Sequence, residues 1–398
     1  MHRWARVLLL ARRGIRSITG PLAPLRTAAS GETGVMMSRP GVKQHTLAGM
    51  ARPALRIAGL VTVLVAVLAL LAACGSPRDA QVVFSGPIMG TQYQVKVLDN
   101  GRVDAAALQA RVETRLDAIN ASMSTWLPDS ELSRLNAAPA GAPVTASDDL
   151  FAVLQGARRI HADSGGAFDV TVGPLVNLWG FGPGNGTGDG ARAVPAADAL
   201  AAARDAVGMQ RITLDTAAQT VTRAHPESYI DLSAIAKGYA VDEVARLVGA
   251  HEPAGYLVEI GGEVKVHGVN AEGGPWRIGI EKPLPGQRSV ARALALSDTG
   301  LATSGDYRNF FELDGVRYSH TIDPRSGAPV RHELASVSVL HESTMLADAI
   351  ATAMMVLGPA AGMETADRRG WAVLMLLPDG DGFRELASKA FSAQQDGG

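Results

Sequence analysis

One segment governs how this chain folds: residues 345–358, which read MLADAIATAMMVLG. Apolar and small residues fill it, and Asp348 is the only charged residue between Glu342 and Glu364. A run of this length with only one charged residue predicts a helix over Thr344–Leu357, closed by the Gly-Pro pair that follows. The chain therefore places one carboxylate on an otherwise apolar helix.

The position of this carboxylate makes Asp348 a candidate metal ligand. Burying an isolated Asp348 is costly unless it is paired or binds a metal ion. Thr352 lies one turn further along, so its hydroxyl shares a helix face with the carboxylate. Two oxygen ligands with a nearby backbone carbonyl suit Mg²⁺. The alternative is that Asp348 is exposed and that Thr352 donates to the carbonyl four residues earlier.

A second informative segment is residues 231–242, DLSAIAKGYAVD. The pattern predicts a helix over Ser233–Val248, with Ser233 as its N-cap. Asp231 then stands just before the helix and Lys237 lies within it. Backbone N–H groups at a helix N-terminus and a lysine can both bind phosphate. The alternative is that Asp231 merely caps the helix and that Lys237 is solvated.

His320 lies in the segment YSHTIDPRSG, at the end of a predicted strand over Arg317–Ile322. With Asp323 it could form an acid–base pair or a ligand clamp, although a lone histidine is more often structural. Gly261 and Gly262 follow a predicted strand, where glycines permit either close approach of a ligand or a tight turn.

The amino-acid composition excludes several classes of protein. The chain has 398 residues and one cysteine, which excludes an internal disulfide framework and a zinc site of several thiolates. The counts of 37 Lys+Arg and 39 Asp+Glu argue against a general nucleic-acid binder. Predicted strands follow one another in runs, which favours an α+β fold with mixed, largely antiparallel sheets and packed helices.

Residues 1–73 have the pattern of a secretory signal. They contain ten Lys/Arg and one acid, and end in the uncharged run Ile57–Ala73. Cys74 follows Leu-Ala-Ala and resembles the bacterial lipobox, in which the thiol receives diacylglycerol. The alternative is a transmembrane anchor, since seventeen apolar residues nearly span a bilayer.

A signal of 73 residues is unusually long. Initiation at Met50 would shorten the signal to 24 residues. Residues 75–80 are then a tether, and 81–398 form the working domain outside the cytoplasm. From Cys74 onward the chain has 27 basic and 38 acidic residues, so this part is acidic.

Eight segments together resemble the ApbE family of flavin transferases (FAD:protein FMN transferases), in family order and over nearly all of the mature chain. They are Ile88–Thr91, Met123–Trp126, Asp129–Leu132, Gly166–Pro183, Asp231–Asp242, Thr303–Arg308, Ser319–Pro324 and Leu346–Thr352. The resemblance implies an ApbE-like fold for residues 81–398.

The resemblance also implies two sets of site residues. Those expected to contact FAD are Met89, Trp126, Ala167, Phe168, Asp169, Asp231, Lys237 and Ile322. Those expected to hold Mg²⁺ are Asp348, Thr352 and the backbone carbonyls of Ala234 and Ala351. Trp126 stands where the family often has Tyr, so an aromatic stacking role is retained.

Family members move FMN from FAD to a Ser or Thr hydroxyl of flavoprotein subunits through a phosphoester bond, releasing AMP. Typical acceptors belong to Na⁺-translocating quinone reductase or Rnf-type complexes. His320 is the candidate base, because its unperturbed pKa of about 6.5 suits proton transfer near neutral pH.

Two alternatives remain: an FAD pyrophosphatase giving FMN and AMP, and a non-enzymatic flavin-binding lipoprotein. The expected location is the bacterial inner membrane, lipid-anchored and facing the periplasm, because the expected acceptors lie there. Gly75 is not the aspartate that commonly marks inner-membrane retention.

Overall fold

The computed structural model describes residues 80–99, 101–183, 193–284, 289–306 and 310–396. The predicted signal, its lipobox at Cys74 and the tether lie outside these residues, except Ala80, which begins the first strand. The α-helices described are α1 (Ala105–Met123), α2 (Glu131–Ala137), α3 (Asp148–Asp163), α4 (Gly173–Leu178), α5 (Ala197–Asp205), α6 (Ala236–Gly249), α7 (Thr344–Arg369) and α8 (Lys389–Asp396).

An antiparallel sheet of eight strands forms the centre of the described domain, in the order β1-β2-β6-β7-β10-β15-β16-β17. Smaller sheets have the orders β3-β5-β4, β8-β9, β11-β12 and β13-β14. The strands are β1 (Ala80–Ile88), β2 (Thr91–Asp99), β3 (Pro143–Thr145), β4 (Ile212–Asp215), β5 (Thr220–Arg223), β6 (Gly255–Ile260), β7 (Glu263–Gly268), β8 (Trp276–Glu281), β9 (Val290–Leu296), β10 (Thr299–Gly305), β11 (Phe310–Leu313), β12 (Val316–Ser319), β13 (Ile322–Asp323), β14 (Ala328–Pro329), β15 (Ser336–His341), β16 (Ala372–Asp379) and β17 (Gly382–Ala387). The predicted α+β class with largely antiparallel sheets is confirmed.

Both faces of the central sheet are buried. On β16, Val373 and Met375 belong to the main core, whereas Leu374 and Leu376 belong to a second core with residues of β8, β9 and α8. Successive side chains of a strand point to opposite faces, so a strand covered on both sides is apolar throughout. The apolar run of β16 follows from this arrangement.

Helices α6 and α7 lie side by side on one face of the sheet. α6 packs on β6 and β7, while α7 packs on β10 and β15. By length and composition α7 could cross a membrane, but 67% of its most apolar window is buried inside the protein. It is therefore the core helix of this domain.

The two helices cap each other. Asp242 of α6 accepts hydrogen bonds from the backbone N–H groups of Thr344 (3.0 Å) and Met345 (3.1 Å), at the start of α7. Asp348 of α7 accepts one from the backbone N–H of Gly238 (3.1 Å), in the first turn of α6. Each carboxylate thus satisfies N–H groups that have no partner within their own helix.

Gly238 permits this close packing. A Cβ atom at this position would lie 2.3 Å from the backbone carbonyl oxygen of Thr344. Since that atom belongs to the backbone, the two helices would have to move apart to accommodate any larger residue.

The predicted start of α6 at Ser233 is wrong. The helix begins at Ala236, after Ile235, which makes no side-chain cap. Ser233 instead donates from its N–H and its hydroxyl to Oδ1 of Asp231, at 2.8 and 2.5 Å. This local turn competes with helix formation and delays the helix by one turn.

The predicted end of the helix at Leu357 is confirmed as a break inside α7, beyond which a second helical segment runs from Pro359 to Arg369. Gly358 leaves helical geometry, with φ of 75° and ψ of 178°. Pro359 has no N–H to donate to the carbonyl of Met355. The imidazole Nε2 of His332 lies 2.6 Å from that carbonyl oxygen and takes the place of the missing donor.

We expect the Gly238→Ala substitution to destabilise the fold by about 1–3 kcal/mol, because its added methyl group overpacks the contact between α6 and α7. Thermal or denaturant unfolding measures the effect. Gly249→Ala is the matched control on the same helix, since its Cβ would lie 3.6 Å from the nearest atom of Tyr256. Equal stability of the two variants would contradict this account of the packing.

Candidate functional site

Two cavities open beside the start of α6. The larger, of about 500 Å³, lies between α7, the segment before α6 and the loop around His320. The smaller, of about 390 Å³, lies beside the turn that follows β1. Trp126, Ser233 and Lys237 line both cavities, so the two are contiguous.

Most residues implied by the family resemblance meet here. The larger cavity is lined by Trp126, Ala167, Phe168, Asp169, Asp231, Ala234, Lys237, His320, Ile322, Asp348 and Thr352. Met89 lines the smaller cavity and has a positive φ of 47°, next to Gly90 in the turn between β1 and β2. Ala351 is buried in α7, directly before Thr352. Segments that are far apart in the sequence therefore converge on one site.

Asp348 is buried, with only 3% of its surface exposed, so the alternative of an exposed carboxylate is wrong. One of its oxygens, Oδ2, accepts from Gly238 and lies 3.9 Å from Nζ of Lys237. The hydroxyl of Thr352 lies 3.3 Å from that of Ser304. Carboxylate and hydroxyl thus face the same cavity from α7.

Three charged side chains interact at this wall of the cavity. Nζ of Lys237 donates to Oε1 of Glu263 at 2.8 Å, in addition to its contact with Asp348. Burial lowers the pKa of Lys237, but the two carboxylates raise it by more, so the lysine is charged. Burial raises the pKa of Glu263 to about 7 and raises that of Asp348, although the lysine opposes both shifts.

The residues present fit a hard divalent cation. Within the described ranges no group of three or more His, Cys, Asp or Glu side chains is arranged to hold a metal. A metal beside Asp348 would therefore need hydroxyl and carbonyl oxygens, which Mg²⁺ accepts. In a regular helix the N–H of Gly238 would donate to the carbonyl of Ala234, four residues earlier, but it donates to Asp348 instead. The next backbone bond of α6 runs from Tyr239 to the carbonyl of Ile235, so the carbonyl of Ala234 lies outside the helical hydrogen bonds.

Asp169 lines the cavity, but its carboxylate is bound within the protein. Oδ1 accepts from the N–H (2.8 Å) and hydroxyl (2.6 Å) of Thr171, and Oδ2 from the N–H of Met209 (3.1 Å). Oδ2 also lies 3.3 Å from Nδ1 of His161, and hydrogen bonding to Asp169 raises the pKa of that histidine. The side chain of Asp169 therefore fixes the shape of this loop.

Asp231 has a similar structural role. Its carboxylate accepts from Ser233, and its N–H donates to the carbonyl of Val170 at 2.7 Å. This bond joins two predicted flavin-contacting segments, 167–169 and the residues before α6.

His320 lies between β12 and β13, so the predicted continuous strand over Arg317–Ile322 is wrong. The interruption leaves His320 at the cavity, where its ring packs edge-on against Phe181, with the ring centroids 6.3 Å apart. Asp323, the acid expected to pair with His320, holds the guanidinium of Arg325 at 2.9 Å.

Sequence reasoning missed two polar residues of the site. Glu263 follows the Gly261-Gly262 turn, whose positive φ values of 60° and 105° show that both glycines serve the turn. Ser304 lies in the segment Thr303–Arg308 that carries the family resemblance but was given no role, although it lines the larger cavity and its hydroxyl lies 3.3 Å from that of Thr352.

Comparison with known proteins matches residues 89–375 to the model of the ApbE family. A Vibrio cholerae protein named FAD:protein FMN transferase is 46% identical over 330 residues, which cover 83% of this chain and 97% of that protein. The solved flavin transferase ApbE of Vibrio cholerae superposes with a TM-score of 0.72 at 44% identity, covering 79% of this chain and 99% of that one. The apo form of the flavinyl transferase ApbE of Pseudomonas stutzeri superposes with a TM-score of 0.73 at 42% identity, and the match covers 80% of this chain and 98% of that one.

Proposed function

The chain belongs to the ApbE family, and we propose that its paired cavities bind FAD and transfer the FMN half to a protein hydroxyl. The protein is an FAD:protein FMN transferase. The observation that carries the mechanism is the meeting of Asp348 on α7 with Lys237 on α6, at the wall of one cavity. This contact puts an acid suited to a metal and a cation suited to phosphate side by side.

The shape of the site suits a dinucleotide. Two contiguous cavities offer room for two ring systems, with Lys237 at their junction available to the diphosphate between them. Trp126, which is 61% exposed, lies at the same junction and offers an aromatic face to a ring.

We place Mg²⁺ at Asp348, Thr352 and the carbonyls of Ala234 and Ala351. The bound ion would neutralise charge on the phosphate oxygens. Asp348 contributes the only carboxylate of this set, so the ion's binding depends most on it. The interaction of Asp348 with Gly238 holds the carboxylate in place before the ion arrives.

His320 acts as the base in this mechanism. It takes the proton of an acceptor Ser or Thr hydroxyl, whose oxygen attacks the FMN-side phosphorus of FAD. The new phosphoester bond joins FMN to the acceptor, and the bond from that phosphorus to the AMP oxygen breaks. A histidine is suited to this role because its neutral form can accept a proton near pH 7.

We further propose that the acceptors are flavoprotein subunits of Na⁺-translocating quinone reductase or Rnf-type complexes. The enzyme would be held at the inner membrane by lipid on Cys74, facing the periplasm. The support for this location is the basic, then apolar, leader that ends in Leu-Ala-Ala-Cys.

We expect His320→Ala to lower transfer about 10²- to 10⁴-fold, the usual contribution of a general base, while FAD binding is retained. Flavin fluorescence of the acceptor band in a gel measures transfer, and quenching of FAD fluorescence measures binding. His267→Ala is the control, since His267 pairs with Asp298 at the surface. Normal flavinylation by His320→Ala would rule out the base. Release of free FMN and AMP by the wild type would indicate hydrolysis instead.

We expect Asp348→Asn to lower Mg²⁺-dependent transfer at least 100-fold, because the amide still accepts from Gly238 but lacks the charge that binds the ion. Transfer measured across a Mg²⁺ titration tests this. Asp367→Asn, on the same helix and next to Lys389, is the control. An unchanged Mg²⁺ response in Asp348→Asn would exclude this metal site.

We expect Cys74→Ser to move the protein from the membrane fraction to the soluble fraction, because serine has no thiol to receive the lipid. Immunoblots of fractionated cells measure the distribution. Retention of the variant in the membrane would instead favour a transmembrane anchor over Ile57–Ala73.

A further inference from the structure

Glu263 is a buried carboxylate that the proposed reaction leaves without a role. It begins β7, is 3% exposed and lines the larger cavity. Its Oε1 accepts from Lys237 at 2.8 Å. Its Oε2 is buried and has no hydrogen-bond partner among the described residues.

An unpaired carboxylate oxygen in the interior is unfavourable. A carboxylate has several acceptor sites, and a buried acceptor left unsatisfied loses its hydration without compensation. Because Glu263 lines the larger cavity, a bound ligand can supply the donor that Oε2 lacks.

The chemistry of a dinucleotide limits what that donor is. Lys237 lies against Oε1 and is proposed to bind the diphosphate, so Oε2 lies close to the phosphates. While Glu263 is ionised beside Lys237, its Oε2 can only accept, and ionised phosphate oxygens are acceptors as well. The groups that flank the diphosphate in FAD are the ribityl chain on one side and the ribose on the other, and both carry hydroxyl donors.

We propose that Oε2 of Glu263 accepts a hydrogen bond from a hydroxyl of the ribityl or ribose group beside the diphosphate. Glu263 is then a binding residue that selects a hydroxylated nucleotide, while its other oxygen holds Lys237 in place. The inference rests on the proposed function, because it requires FAD in this cavity.

Ligands without phosphate separate direct contact from an effect through Lys237. Riboflavin carries the ribityl chain and adenosine carries the ribose, and neither offers a phosphate to the lysine. We would measure their displacement of bound FAD by flavin fluorescence, in EDTA, so that no metal-bound water takes part. Inorganic pyrophosphate, which has no such hydroxyl, reports on Lys237 alone.

The variants are Glu263→Met, which has similar length without polar atoms, and Glu263→Gln, which retains polar atoms without the charge. Glu364→Met is the control, since the side chain of Glu364 is 80% exposed on α7. Melting temperatures establish that each variant is folded.

We expect Glu263→Met to weaken either riboflavin or adenosine about tenfold, which corresponds to about 1.4 kcal/mol, and Glu263→Gln to recover part of the loss. The ligand affected identifies the half of FAD that is bound. Unchanged riboflavin and adenosine affinities, with weaker pyrophosphate binding, would mean that Glu263 only positions Lys237 and would overturn the proposal. An effect seen only with Mg²⁺ present would assign Oε2 to a metal-bound water and also overturn it.

A crystal structure of the wild type with FAD gives an answer that requires no variant. We expect a ligand hydroxyl at about 2.5–3.0 Å from Oε2 of Glu263. FAD bound in the cavity with every hydroxyl beyond hydrogen-bond distance would refute this inference alone. Failure of the wild type to bind FAD at all would refute the proposed function.

Discussion

The contact between α6 and α7 is the constraint on which the site depends. Asp242 caps the start of α7, and Asp348 binds the first turn of α6. Gly238 allows the backbones to approach closely enough for both interactions. Because the helices hold each other reciprocally, the acid proposed to bind the metal and the lysine proposed to bind phosphate keep a fixed relation.

The same contact explains how charges are tolerated inside the domain. Lys237 lies between Glu263 at 2.8 Å and Asp348 at 3.9 Å, so the cluster has one excess negative charge when all three groups are ionised. Burial opposes that excess and raises the pKa of both carboxyl groups. A bound cation relieves it. The cluster is therefore suited to a cation that arrives together with an anionic ligand.

The sequence alone predicted the fold class, the helix around Asp348 and the segments that line the cavity. It could not decide whether Asp348 was buried. A single carboxylate in an apolar helix can face solvent or the interior, and the residues that pack against that helix come from distant parts of the sequence. Glu263 was missed since its partner, Lys237, lies 26 positions earlier. The kink in α7 lies at Gly358 and Pro359, and the contact of His332, distant in sequence, with the Met355 carbonyl at that kink could not be foreseen from the local pattern.

The errors in element boundaries fall where the site is built. Ser233 was predicted to begin a helix, but the residues before α6 form a turn that leaves the Ala234 carbonyl outside the helical ladder. His320 was predicted at the end of a strand over Arg317–Ile322, but that strand stops at Ser319 and the imidazole lies at the cavity. A backbone group inside a regular ladder is already occupied. Ligand-binding groups therefore come from places where the ladder is interrupted, and local patterns that predict regular structure fail at those positions first.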